Sequence, residues 1–190
     1  KNKCVINMSL GGGFSLGLDQ AIRNSANQGI KFTIAAGNAG SDADFWSPAS
    51  AGDHPNVYTV SAVDNQYRMA SWSNWDDSTG GDDVDVAAPG VRVLSYYKGG
   101  NLRFLSGTSM AAPHVAGLLL MGNGKLSEGD MVEANAAGHS DPFALHTSNS
   151  APELIGKKAT LAHGKEDTEY IIQESDLLKG FSDLMVTRCR

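Results

Sequence analysis

The sequence predicts an α/β fold built on a mostly parallel sheet, and three observations lead there. An apolar strand, a helix and a second apolar strand follow one another across short glycine-rich joints at the start of the chain. Two further apolar strands follow, the second closing at Pro89-Gly90. A Gly-Thr-Ser turn then opens directly into an apolar helical run. Parallel strands need a crossover between them, usually a helix, so a strand–helix–strand unit of this length places its strands side by side and buried.

Taken in order, Val5-Ile6-Asn7-Met8-Ser9-Leu10 reads as a short strand ending in Gly11-Gly12-Gly13. Leu18 to Gln28 carries Leu18, Ile22 and Ala26 at helical spacing, and Gly29 stops it. Ile30 to Ala36 is a second strand ending at Gly37-Asn38, and Asn56 to Val63 a third. Asp85 to Ala88 is a short fourth, and Val91 to Tyr97 is expected to pair at an edge of the sheet. After Leu120, Gly122, Gly124, Gly129 and Gly138 interrupt every pattern. The run Thr147-Ser148-Asn149-Ser150-Ala151-Pro152 has the composition of a linker. A domain of residues 1–148 is therefore expected, followed by a short β-type segment over 149–190. That segment is too small for an independent core.

The totals exclude some functions. With 190 residues, a net charge of −6 and no cluster of Lys and Arg, the chain lacks what a nucleic-acid partner requires. No apolar run reaches the roughly 18 residues that span a bilayer. Of the two cysteines, Cys4 is expected to be a buried thiol at a strand start and Cys189 lies one residue from the end, with a disulfide between them as the alternative.

The chemistry concentrates at Gly107-Thr108-Ser109-Met110-Ala111-Ala112-Pro113-His114-Val115-Ala116-Gly117. Ser109 falls at a helix N-terminus, where unpaired N–H groups and the helix dipole favour developing negative charge. Taken alone, a serine in that position is an ordinary cap. His114 lies five residues on, which is about 140° around a helix from Ser109. It is not assigned a catalytic role.

This eleven-residue string resembles the nucleophile motif of the subtilisin-like serine proteases. The resemblance extends over residues 4–121. Val5 to Gly12 resembles the family's substrate-binding strand, Ala35-Ala36-Gly37-Asn38 its oxyanion segment, and Ala88-Pro89-Gly90 the turn before the nucleophile region. The resemblance implies a mostly parallel sheet with helices on both faces, and a serine endopeptidase that works through an acyl-enzyme on Ser109. It implies that Asn38 and the Ser109 backbone N–H donate to the oxyanion. Ser9, Leu10, Gly11 and Gly12 would line an extended substrate, opposite a wall formed by Ala35, Ala36 and Gly37. The small side chains there suit a roomy slot for large apolar residues. The resemblance also implies a structural calcium ion held by the carbonyls of Pro55 and Val57 and by Asp85, since oxygen donors of these types suit a hard cation.

A serine nucleophile needs a base and a group that orients the base. In the family both are carried before the strand that opens this chain, and His54, His139, His146 and His163 match no motif for them. The fold is thus expected to be incomplete on its N-terminal side, with the N-terminal half of the catalytic domain as a partner and a polypeptide as substrate. Residues 150–190 resemble the opening of a bacterial cadherin-like repeat, which implies a large secreted parent. The competing reading is a pseudoprotease or peptide-binding module of an adhesion protein.

Overall fold

A computed structural model describes residues 4–76 and 83–147. The chain divides into two compact units, and the described residues all fall in the first, which runs to Thr147. The expectations for residues 149–190, including the cadherin-like repeat, lie outside the described residues.

The first unit is a mostly parallel sheet with a helix on each face. Its strands are β1 (Val5–Met8), β2 (Gly12–Gly13), β3 (Lys31–Ala35), β4 (Trp46–Ser47), β5 (Val57–Val63), β6 (Val86–Pro89), β7 (Val93–Tyr96), β8 (Leu102–Leu105), β9 (Ser127–Met131) and β10 (Pro142–Leu145). Six of them form the main sheet in the order β1-β3-β5-β6-β10-β9, all parallel except the β10–β9 pair. Helix α1 (Leu16–Ala26) brings Ile22 and Ala26 onto Phe32, Ile34 and Val57. Helix α2 (Thr108–Met121) brings Ala111, Ala112, Val115 and Leu119 onto Val60, Ala62, Val86 and Ala88. Strand alternation sends Val57 to one face and Val60 and Ala62 to the other, so β5 is buried on both sides.

Three elements depart from the sequence expectations. Helix α1 begins two residues before Leu18, because Ser15 takes an extended N-cap conformation (φ −143°) and releases Leu16 into the helix. Val93–Tyr96 does not join the main sheet. It pairs antiparallel with Leu102–Leu105, with Gly99 and Gly100 at positive φ in the connection, because a partner so near in sequence closes only a short loop. The glycine-broken region after Leu120 nevertheless extends the sheet. There β10 lies parallel to β6, with Phe143 opposite Ala87, and β9 folds back onto it, with the Leu145 side chain close over Gly129. Cys4 also departs from expectation, since it carries no free thiol.

Candidate active site

The site lies at the carboxyl ends of the parallel strands, where the segments leaving β1 and β3 meet the start of α2. Gly107 precedes the helix at φ 157° and Ser109 is its second residue. Ser109 is half-buried, and its backbone N–H belongs to the first turn, where no intrahelical acceptor exists.

Pro113 shapes this turn. A proline within a helix has no N–H to give to the carbonyl four residues earlier, and here that carbonyl belongs to Ser109. Ser9 takes the place of the missing donor, giving its hydroxyl to the Ser109 carbonyl at 2.7 Å. Ser9 is itself placed by Asn7, whose Nδ2 donates to Ser9 Oγ at 3.0 Å while Oδ1 accepts from the buried Thr33 hydroxyl at 3.1 Å. Ser109 Oγ makes one long contact, 3.4 Å, to the carbonyl of Ser9.

Asn38 is held by its oxygen. Its Oδ1 accepts from the Thr108 N–H at 2.9 Å and from the Thr108 hydroxyl at 3.1 Å. With Oδ1 committed, the exposed carboxamide keeps its Nδ2 donor for another acceptor. Nδ2 lies 3.8 Å from where a Cβ on Gly107 would stand, beside the turn that carries Ser109. The Thr108 hydroxyl accepts in turn from the Gly37 N–H at 3.1 Å. Two separate chain segments thus fix one amide relative to one serine.

Gly37 is required at its position. Its φ is +109°, and an added Cβ would stand 2.3 Å from Asn74 Nδ2. Asn74 is fully buried; its Oδ1 accepts from Ala39 N–H (2.8 Å) and more distantly from Ser41 N–H (3.3 Å), and its Nδ2 donates to the Ala36 carbonyl (2.9 Å). Asn74 carries no signal of this role in the sequence. It lies in an irregular stretch, where an asparagine looks like any turn residue.

A cleft of about 270 Å³ opens beside Ser109. Leu10, Gly11 and Gly12 line it together with Ala35 to Asn38, Trp46, Ser47, Ala49 and Thr108. Of the residues expected at the substrate site, all but Ser9 line it; the Ser9 hydroxyl is turned to Ser109 instead. Trp46, unforeseen from the sequence, is fixed by its indole N–H on Ser41 Oγ at 2.9 Å and by the pairing of β4 with Gly12 and Gly13. Ser47 is buried and joins, through Ser50 Oγ, the buried carboxylate of Asp19 on α1.

A second groove, about 360 Å³, lies on another side of Ser109, between α2 and the β7–β8 hairpin. His114 lines it too, but its Nδ1 is engaged by the Met110 carbonyl at 2.8 Å and makes no bond to Ser109. His139 is elsewhere, stacked flat on Trp75 at 3.7 Å. His54 sits in the turn before β5, hydrogen bonded to Asn27 and to the Asn56 N–H.

Of the residues expected to hold calcium, Asp85 is hydrogen bonded to the strand that Val57 opens. Val57 opens β5 two residues after Pro55, and Asp85 is tied to the same strand: its Oδ2 accepts from Thr59 N–H at 2.7 Å and its own N–H donates to the Thr59 carbonyl at 3.0 Å. Two carbonyls and one carboxylate are donors that fit a hard cation. Among the described residues no group of three or more His, Cys, Asp or Glu side chains is arranged for a metal.

A family model described as the subtilase family matches residues 1–128. Subtilisin-like protease 1 of Arthroderma gypseum is 47% identical over 117 residues, 62% of this chain and 23% of its own length. Proteinase R of Parengyodontium album is 44% identical over 117 residues, 62% of this chain and 28% of its own. Among solved structures, a cold adapted subtilisin-like serine proteinase superposes with a TM-score of 0.64 at 34% identity, covering 76% of this chain and 55% of the other. The chain spans about a quarter of the length of these two curated relatives.

Proposed function

From the premise that the chain belongs to the subtilase family, we propose that it is the nucleophile-bearing part of a serine endopeptidase. The observation that carries this reading is the Asn38–Thr108–Ser109 arrangement, which leaves one side-chain N–H and one backbone N–H on the side of the nucleophile. A polypeptide lies extended along Leu10 to Gly12, with the side chain before the cut in the cleft between Gly11-Gly12 and Ala35 to Gly37. Ser109 Oγ forms a bond to the scissile carbonyl carbon, and its proton passes to a base on the N-terminal half of the catalytic domain. Asn38 Nδ2 and the Ser109 N–H donate to the resulting oxyanion. Collapse expels the amine, which takes the proton, and leaves the acyl group on Ser109. Water then releases the acid by the reverse sequence of transfers.

The base, its orienting aspartate, a secreted location and a structural calcium ion at Pro55, Val57 and Asp85 are further parts of this proposal. No helix among the described residues is long and apolar enough to cross a membrane. A large secreted parent, with an adhesive repeat over 149–190, is proposed on the resemblance of that segment.

One observation favours a second reading for the chain by itself. Among the described residues Ser109 Oγ meets a backbone carbonyl, and the nearby His114 is turned to Met110. A chain used in that state would grip extended peptides without cutting them. A fluorophosphonate probe separates the two readings. In the enzyme that includes the base-bearing segment, labelling at Ser109 that vanishes in Ser109→Ala supports the peptidase. Labelling that survives the substitution, or none in the unsubstituted enzyme, overturns it.

A further inference from the structure

The β7–β8 hairpin carries an apolar face that the catalytic reading does not use. Leu94 pairs with Phe104 and Tyr96 with Leu102, and strand alternation puts all four side chains on one side. They are 51%, 57%, 79% and 57% exposed, in that order, although apolar side chains of this size usually find cover. Cations stand on both faces of the hairpin. The Arg92 guanidinium lies over the Phe104 ring at 5.2 Å, at the edge of the apolar face; that of Arg103 lies over Tyr97 at 5.1 Å on the opposite face, and Lys98 stands in the connection. Stacking on a ring orders a guanidinium while leaving its N–H edge free for a planar carboxylate.

The charge pattern is as uneven as the apolar pattern. Between Val86 and Ser127 the sequence holds Arg92, Lys98, Arg103 and Lys125 and no carboxylate. In a chain of net charge −6, those four cations leave −10 on the remainder. The hairpin is also continuous with the nucleophile. Its Leu94 and Tyr96 line the groove that reaches Ser109, and Ser106 Oγ, just past β8, accepts from the Arg92 N–H at 2.9 Å.

We propose that this face is a substrate-recruiting site for acidic, aromatic-rich polypeptide segments, in which apolar side chains alternate with Asp or Glu. Such a segment, extended alongside the hairpin, sets its apolar side chains against Leu94, Tyr96, Leu102 and Phe104 and turns its alternate carboxylates to Arg103 on the opposite face. A polypeptide is favoured over an anionic lipid surface for two reasons. The face leads to Ser109, and a membrane would bring its negative charge against the acidic remainder of the molecule within the ~8 Å reach of unscreened charge. The proposal deepens the peptidase reading and rests on it for the word substrate, so its test is a binding measurement that needs no turnover.

Fluorescence anisotropy of the full chain is measured with a labelled peptide of alternating Glu and Phe or Leu, and with its Lys counterpart. The acidic peptide is expected to bind, to weaken as salt rises, and to lose about tenfold in affinity in Leu102→Ser/Phe104→Ser. A similar loss is expected in Lys98→Glu/Arg103→Glu, which keeps the apolar face and so remains informative if the first variant does not fold. Equal binding of the two peptides, acidic-peptide binding untouched by either variant, or no binding overturns the proposal. So does hairpin-dependent binding seen only with phosphatidylserine vesicles, which would make the face a lipid site. Fluorophosphonate labelling of Ser109 in the enzyme with its base-bearing segment is expected to be unchanged in both variants. Failure of the recruiting site is thereby distinguished from failure of the peptidase reading.

Discussion

Ser9 and Ser109, one hundred positions apart, share a hydrogen bond of 2.7 Å that exists because Pro113 cannot make the helical one. The expected consequence is non-additivity. Ser9→Ala leaves a carbonyl without a partner and is expected to cost about 1–2 kcal/mol in denaturant unfolding. In a Pro113→Ala background the helix supplies its own N–H donor, and the cost of Ser9→Ala should fall toward zero. Equal costs in both backgrounds would contradict this account of the Ser109 turn.

Asn38 and Thr108 are expected to separate in kinetics. In the enzyme with its base-bearing segment, Asn38→Ala should lower kcat by about 10²–10³-fold with little change in KM. That magnitude is the one known for removing one oxyanion donor from a subtilisin, and on the peptidase reading it applies to Asn38. Thr108→Val keeps the donor and its backbone contact but removes the hydroxyl that orients it. It should lower kcat by about tenfold, an amount corresponding to one modest hydrogen bond. Steady-state kinetics with one short substrate tests both, and a Thr108→Val effect confined to KM would contradict the orienting role.

Trp46 is the bulkiest side chain lining the cleft. Trp46→Ala is expected to raise kcat/KM for a bulky aromatic residue before the cut, relative to alanine there, by about tenfold. A panel of peptides differing only at that residue provides the measurement. An unchanged ratio would place the side chain before the cut elsewhere.

Away from the site, Asp64 and Arg68 predict a pH dependence. The Arg68 guanidinium donates Nε (2.8 Å) and Nη2 (2.6 Å) to Asp64 Oδ2, and this holds the Asp64 carboxyl below its ordinary range. Backbone N–H groups of Arg68 and Gln66 add to the effect. A lowered folded pKa gives a stabilisation that is complete above the unfolded value of about 4 and disappears as pH falls through the folded one. Thermal unfolding of the chain and of Asp64→Asn should therefore differ at neutral pH and converge in acid. A difference that grows below pH 4 would reverse the sign and refute the assignment.

Much of this fold is legible in the sequence because its core strands are apolar on both faces. Lys31–Ala35, Val57–Val63 and Val86–Pro89 announce themselves without reference to any partner. Ser127–Met131 does not, since Glu128, Gly129 and Asp130 carry no apolar signal, and the strand exists only because β10 offers it an edge. The same distinction runs through the site. Ser109 and Asn38 carry their own signals, a helix start and a strand-end asparagine. Asn74 matters only through three backbone groups that the fold delivers to it, and Trp46 only because β4 pairs with Gly12 and Gly13. The partner of Val93–Tyr96 is decided between a distant sheet edge and a near hairpin, and periodicity is silent on that choice.

The distances in sequence that the site brings together also set a time. Ser9 meets Ser109, Asn38 meets Thr108, and Gly37 rests on Asn74, so loops of roughly forty to one hundred residues must close before any of these pairs exists. Non-local closures of this kind come late in folding. A chain emerging from synthesis therefore carries Ser109 before Ser9 and Asn38 are set beside its turn. On the peptidase reading, folding of this chain sets only the oxyanion donors around Ser109, and the serine stays unreactive until the base-bearing half docks as well.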